Sequence, residues 1–288
     1  MVIKKYRPAY LIPRLARRFT PERLAVRLLS KRSLPVEKLY EVNTRAYFRG
    51  LELTEGENPF VNGTAPVILE AGTGVYNPAS APLLRAGASK IILLEPYQAD
   101  AIDVDRFRER AGAFLTLADE DEAFPLPRVE EPGDPLDRVE FSGRLWEDTG
   151  LPDDAVDFVF SISVLEHLRN PEAVLDETRR ILRPGGWLIS TVDMRDHYFK
   201  YPWEMLKYSE RQWRLLTTQR GGSGYLNRWR IDKWRQALEE RGFRVTVETT
   251  QHFDSSILDE RPLLDPAFRG LDDTSLRTAQ ALVAARKL

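Results

Sequence analysis

Two short apolar runs, each closing on an acid, constrain this chain more than any other feature. Pro66-Val67-Ile68-Leu69-Glu70 leads straight into Ala71-Gly72-Thr73-Gly74, and Lys90-Ile91-Ile92-Leu93-Leu94 closes on Glu95. Unbroken runs of this length and composition read as parallel strands buried on both faces. Glycine after such a strand lets the backbone turn sharply and approach a ligand with no Cβ in the way. Ligands of open α/β sheets bind beyond the carboxyl ends of the strands. Taken alone, Glu-x-Gly-x-Gly is equally a structural turn. Glu95 shifts the balance, because a carboxylate at the end of the next strand can accept both hydroxyls of a ribose.

The same rhythm continues. Asn77-Pro78 reads as a helix cap and first helical position, with Gly87 as the stop. A helix rich in Arg and Asp is expected around residues 101–113. Arg138-Val139-Glu140-Phe141 and Val156-Asp157-Phe158-Val159-Phe160-Ser161-Ile162 supply a third and a fourth strand. Asn170-Pro171-Glu172 opens a helix to about Leu182, Arg183-Pro184-Gly185-Gly186 reads as a tight turn, and residues 187–192 form the fifth strand. Strands alternating with helices predict a Rossmann-like, doubly wound, mostly parallel sheet. Phe243–Thr249 and Ala279–Arg286 are expected to pair antiparallel at one edge.

Two segments stand outside this pattern. Residues 1–36 hold ten Lys/Arg and one acid, so this stretch carries +9 and leaves −11 for the rest of a chain whose net charge is −2. Leu11, Ile12, Leu15 and Phe19 lie among those cations, with Pro13 and Pro21 expected to break the stretch into short helical pieces. It reads as an arm packed on the domain, or as a basic amphipathic anchor on an anionic membrane. Nucleic acid is disfavoured, because the arm's aromatics form no stacking platform. The second segment is an acidic insertion, 118–137. The predicted division is a basic helical arm over 1–60 and one domain over 61–288, with that insertion and a cap at 194–230. No run approaches the ~18 apolar residues of a membrane span, and no apolar stretch follows the basic N-terminus as a signal peptide requires. The chain has no cysteine, which excludes disulfides and thiolate chemistry and fits a reducing, cytoplasmic setting with peripheral membrane contact as an option.

Residues 151–168, Leu-Pro-Asp-Asp-Ala-Val-Asp-Phe-Val-Phe-Ser-Ile-Ser-Val-Leu-Glu-His-Leu, continue to Leu182-Arg183-Pro184-Gly185-Gly186-Trp187-Leu188. With the glycine loop and Glu95, this ordered set resembles the class I S-adenosylmethionine-dependent methyltransferases of the small-molecule type, over about residues 66–193. The resemblance implies S-adenosyl-L-methionine as cofactor. It implies that Gly72, Thr73 and Gly74 wrap the methionine part and that Glu70 faces its amino group. Glu95 would hold the ribose, Pro96 and Tyr97 would border the adenine, Arg144 and Leu145 would lie at the adenine edge, and Ser161 near the ammonium. Two departures stand out. Tyr76 replaces a frequent third glycine and could line the acceptor pocket. Arg144 stands where an Asp is common, so a backbone N–H, Glu147 or Asp148 would have to read the adenine.

On the acceptor side, His167 and His197 both follow strands and are the candidate general bases, each with a plain structural reading beside it. Asp193 or Asp196 could orient His197. The same three residues could instead hold a divalent ion, although no metal is assigned. The segment 197–230 interleaves aromatics with cations, which suits flat or anionic acceptors. Tyr198, Trp203 and Arg228 are its candidate substrate contacts, and a buried structural cap is the equal alternative. Residues 196–230 loosely resemble methyltransferases associated with bacterial glycans. The predicted function is methyl transfer, at oxygen, to a small-molecule or glycan acceptor. The rivals are an NAD-linked oxidoreductase, which lacks its third glycine here because position 77 is Asn, and a non-catalytic membrane-associated binding protein.

Overall fold

The structure, a computed structural model, describes residues 6–19, 34–72, 77–96, 103–129, 132–198, 200–217 and 225–288. Seven strands form one sheet: β1 (Val67–Ala71), β2 (Lys90–Leu94), β3 (Val139–Ser142), β4 (Val156–Ile162), β5 (Leu182–Asp193), β6 (Phe243–His252) and β7 (Thr278–Lys287). Their order is β3-β2-β1-β4-β5-β7-β6. The first five run parallel, while β7 pairs antiparallel with both β5 and β6. The expected Rossmann-like sheet with an antiparallel edge is thus present.

The helices introduced in chain order are α1 (Pro8–Phe19), α2 (Val36–Leu39), α3 (Arg45–Glu52), α4 (Val104–Glu120), α5 (Pro171–Ile181), α6 (Glu210–Leu216) and α7 (Ile231–Glu239). A π-helical turn, Tyr40–Thr44, joins α2 to α3. Strand alternation sends Ile68, Ile91, Leu93, Phe158, Phe160 and Ile189 to one face, against α3 and α4. It sends Leu69, Ile92, Leu94, Val159 and Leu188 to the other, against α5 and α7. Residues 36–52 therefore pack on the sheet itself. Gly50 sits so close to β5 that a Cβ there would fall 2.2 Å from Ile189 Cγ2. A third cluster, built from Tyr10, Met205, Leu206, Tyr208, Trp213 and Phe253, forms a cap over one end of the sheet.

Three local expectations fail for physical reasons. α1 runs through Pro13 instead of breaking there. Tyr10 and Arg14, one turn apart and both buried, anchor the helix on either side of the proline, so tertiary contacts override propensity. Pro21 lies outside the described residues. Asn77-Pro78 opens no α-helix; Ala81–Ala86 is a 3-10 helix that ends at Gly87 with φ 88°. The chain just before it is held by Ser80 on Glu70 and by Thr44 on the Ala79 carbonyl, which leaves no freedom for a regular first turn. Finally, Arg183-Pro184-Gly185-Gly186 lies within β5, which pairs with β4 across a register shift. By contrast, Asn170 caps α5 as expected, its side chain accepting from the Ala173 amide.

The acidic stretch pairs locally. Asp119 meets Arg85, Asp121 meets Arg45 and the Tyr40 hydroxyl, and Asp134 and Asp137 meet Arg108. The described part of the basic arm pairs instead with the cap and the loop before it, through Arg7 to Glu204 and Glu260 and Arg14 to Asp196.

Candidate active site

The sheet order reverses between β1 and β4, and in open α/β sheets it is beyond the carboxyl ends of the strands at such a reversal that ligands bind. Gly72 begins the loop after β1 with φ 69°, its amide donating to the Leu94 carbonyl at 2.9 Å. A Cβ at Gly72 would lie 2.8 Å from Val164 Cγ2 on the loop after β4, so only glycine lets the two loops meet this closely. Glu95 immediately follows β2, 8% exposed, its amide fixed on the Ser142 carbonyl. Pro96 follows at intermediate exposure. Arg144 and Leu145 come just after β3. Arg144 is exposed and pairs with Asp148 at 3.6 Å, and Leu145 bridges to Asp148. A close-turning glycine beside an acid at the end of the next strand fits a nucleoside cofactor. Thr73, Gly74, Tyr76 and Tyr97 lie outside the described residues.

Two expected cofactor contacts face inward. Glu70 is wholly buried and accepts from the Tyr47 hydroxyl at 2.7 Å and from both the amide and hydroxyl of Ser80. Burial pushes its carboxyl up to about 7, with those hydrogen bonds opposing. Ser161, also fully buried, shares a 2.6 Å hydrogen bond with the Ser190 hydroxyl on β5. These contacts tie Glu70 to α3 and the loop after β1, and Ser161 to the neighbouring strand.

The two candidate bases come together. The His167 and His197 rings sit edge to face with centroids 4.9 Å apart. His167 ends the 3-10 turn Leu165–His167 that follows β4, and its Nδ1 lies 2.7 Å from the Tyr225 carbonyl. A carbonyl only accepts, so Nδ1 carries the proton and Nε2 the lone pair. Asn227 braces the turn, donating from its amide to the Glu166 carbonyl and from its side chain to the Leu165 and Leu168 carbonyls. His197 follows β5; burial, reinforced by His167, pushes its imidazole down to about 4. Neither candidate orienting acid is spare. Asp196 accepts from Tyr10, Arg14 and the Tyr198 amide, and Asp193 from Arg195 and Gln280. Asp193 acts on His197 only through its charge, opposing the downward shift, while the ligand atoms of Glu166, His167 and His197 lie within 4.8 Å of one another.

The expected substrate contacts divide. Arg228 is buried and donates to the Met205 and Tyr208 carbonyls and to Glu210, which holds the cap's interior together. Trp203 donates to Glu260 and packs its ring on Phe253. Tyr198 packs edge-on against Tyr10 under the Arg14 guanidinium, yet keeps part of its surface exposed. The turn 221–224 lies outside the described residues. Sequence reasoning missed Tyr47, Ser80, Arg14 and Glu166. The first three are distant in the chain from their partners. Glu166 was legible only as the acid preceding His167.

Comparison with known proteins agrees with this geometry. Residues 10–248 match a family described as a methyltransferase domain, and the chain belongs to that family. It is therefore an S-adenosylmethionine-dependent methyltransferase with S-adenosylmethionine as its cofactor. The NAD-linked and non-catalytic readings are set aside. No curated protein matches the sequence. Among solved structures, the Haloferax volcanii complex between the Trm112 methyltransferase activator and a methyltransferase is similar, at TM-score 0.50 and 17% identity over 94% of this chain and 96% of that one. A Listeria monocytogenes protein described as an S-adenosylmethionine-dependent methyltransferase scores 0.45 at 15% identity, over 85% of this chain and 98% of that one. A Galdieria sulphuraria protein described as a sarcosine dimethylglycine methyltransferase scores 0.47 at 15%, over 85% and 84%. At such identities the Haloferax likeness speaks for a shared fold alone.

Proposed function

We propose that the chain methylates a hydroxyl oxygen of a small-molecule or glycan acceptor. The observation that carries this reading is the pairing of His167 with His197 at the carboxyl ends of β4 and β5. The cofactor supplies an electrophilic methyl group on a sulfonium, so alignment of the acceptor provides much of the rate. A hydroxyl must also lose its proton as the new O–CH₃ bond forms. Burial, reinforced by His167, keeps His197 uncharged at neutral pH, the form that a general base requires, and the same shift makes it a weaker base than a solvated imidazole. Tyr198, Trp203 and Tyr225 keep partial exposure around the cap, which suits a flat sugar face, and Arg169 lies 4.6 Å over the Tyr225 ring. The test is methyl transfer to a panel of sugars, glycans, amines and carboxylates, with product linkage read by mass spectrometry. An O-methyl ether is expected, with kcat lowered roughly 10²–10⁴-fold in His197→Ala and cofactor affinity retained. N-methyl products, or near-normal turnover in both His197→Ala and His167→Ala, would refute it.

Peripheral contact with an anionic membrane is the proposed second partner. On α1, Tyr10 and Arg14 face the cap, while Ile12, Leu15 and Phe19 lie on the opposite side at 69%, 41% and 79% exposure. No helix among the described residues is long and apolar enough to cross a membrane. An outward apolar stripe on a strongly basic segment supports a surface-lying helix.

A further inference from the structure

We propose that Glu166, His167 and His197 form a binding site for a divalent transition-metal ion. One ligand atom from each residue lies within 4.8 Å of the other two. At bond lengths of about 2.0–2.2 Å, tetrahedral ligand atoms stand ~3.3 Å apart, so small side-chain rotations close the set. Two imidazoles and one carboxylate select zinc, cobalt or manganese over magnesium or calcium, which prefer all-oxygen shells.

Two independent features point the same way. Glu166 is 3% exposed, and its carboxylate oxygens meet no side-chain donor; only its own amide and that of Asp193 lie near them, short of well-formed hydrogen bonds. A buried carboxyl without a partner is costly, and an ion is one of the few groups that answers that cost. In addition, the Nδ1 of His167 donates to the Tyr225 carbonyl, which makes Nε2 the nitrogen that carries the lone pair. A backbone carbonyl holding the far nitrogen is the usual support of a metal-ligating histidine. Asn227 fixes the turn carrying both Glu166 and His167. The nearby cations do not oppose an ion strongly, since Arg195 is paired with Asp193 and Arg14 with Asp196. Three protein ligands leave positions open for water or an acceptor oxygen. With the ion bound, the His197 lone pair is committed to it, and an acceptor hydroxyl would lose its proton through coordination to the ion instead of to free imidazole.

The site is tested on the full chain, stripped of metal and titrated with Co²⁺ and Zn²⁺ by calorimetry, with visible absorption for cobalt. One saturable equivalent is expected, with the intense bands of a four- or five-coordinate ion. Glu166→Gln and His197→Ala should each weaken affinity ~100-fold or more while thermal unfolding shows a folded chain. Should Glu166→Gln fail to fold, His197→Ala, at a partly exposed position, decides. No saturable binding, only the weak bands of a six-coordinate ion, or unchanged affinity in a folded variant would overturn the proposal. No cofactor or acceptor is present in this measurement, so its outcome is separate from the acceptor chemistry proposed above.

Discussion

Arg14 of α1 and Asp196 of the loop after β5 form an ion pair across 182 residues of sequence, with side-chain exposures of only 4% and 0%. Tyr10 donates to the other oxygen of Asp196, and the Arg14 guanidinium also lies 4.5 Å over the Trp213 ring. The arm is thereby clamped to the loop that carries His197.

Removing one partner of such a pair leaves a buried charge uncompensated. Arg14→Ala is expected to destabilise the protein by roughly 3–5 kcal/mol, whereas the double variant Arg14→Met/Asp196→Leu should lose much less. Urea unfolding of both variants checks this. Equal losses would mean that packing, not charge, holds the clamp.

Glu95 is expected to bind the ribose. Glu95→Ala should weaken S-adenosylhomocysteine binding by about 1.5–3 kcal/mol with the fold intact, the range for a hydrogen bond to a charged group. Calorimetry on a variant with normal thermal unfolding reads the effect. Unchanged affinity would assign the ribose to another residue.

Glu70 makes stability depend on pH. Its folded pKa is raised from 4.5 to about 7, so between those values the native state holds a proton that the unfolded state has released. Its contribution is therefore complete below pH ~4.5 and is lost as pH rises through ~7. The total is about 3 kcal/mol by linkage. Glu70→Gln should flatten this part of the stability curve. A wild-type curve that rises between pH 5 and 7, and does so equally in the variant, would contradict the assignment.

Membrane contact by the arm should depend on both charge and apolar surface. Each Lys or Arg near an anionic bilayer is worth about 1 kcal/mol, screened within ~10 Å at 0.1 M salt. Deleting the arm would also remove Arg14, so exposed positions are the better probe. Full-length protein is expected to co-sediment with phosphatidylserine vesicles at low salt and to be released at high salt. Ile12→Ser/Phe19→Ser should sediment less. Equal sedimentation of the two proteins at low salt would make α1 a structural clasp alone.

The sheet was legible in the chain because its signal is local. An apolar run such as Val67–Leu69 or Ile91–Leu94 must be buried wherever it goes, and Gly72 marks where the backbone has to turn. Asn170-Pro171 carries its own cap within four residues. Glu95, His167 and His197 could be picked out because strand ends in this topology converge on one edge. What those side chains touch was not legible. Glu70 was readable as an acid at a strand end, but its enclosure by Tyr47, 23 positions away, and by Ser80 was not. Pro13 looked like a break until burial of Tyr10 and Arg14 held the helix through it. Glu166 looked unremarkable until its carboxylate was found buried without a side-chain donor beside two imidazoles. Pattern and propensity, acting between near neighbours, determined the strands, their order of use and the cofactor edge. Pairing of buried polar groups acts between residues far apart in the chain, and only the tertiary structure decided it.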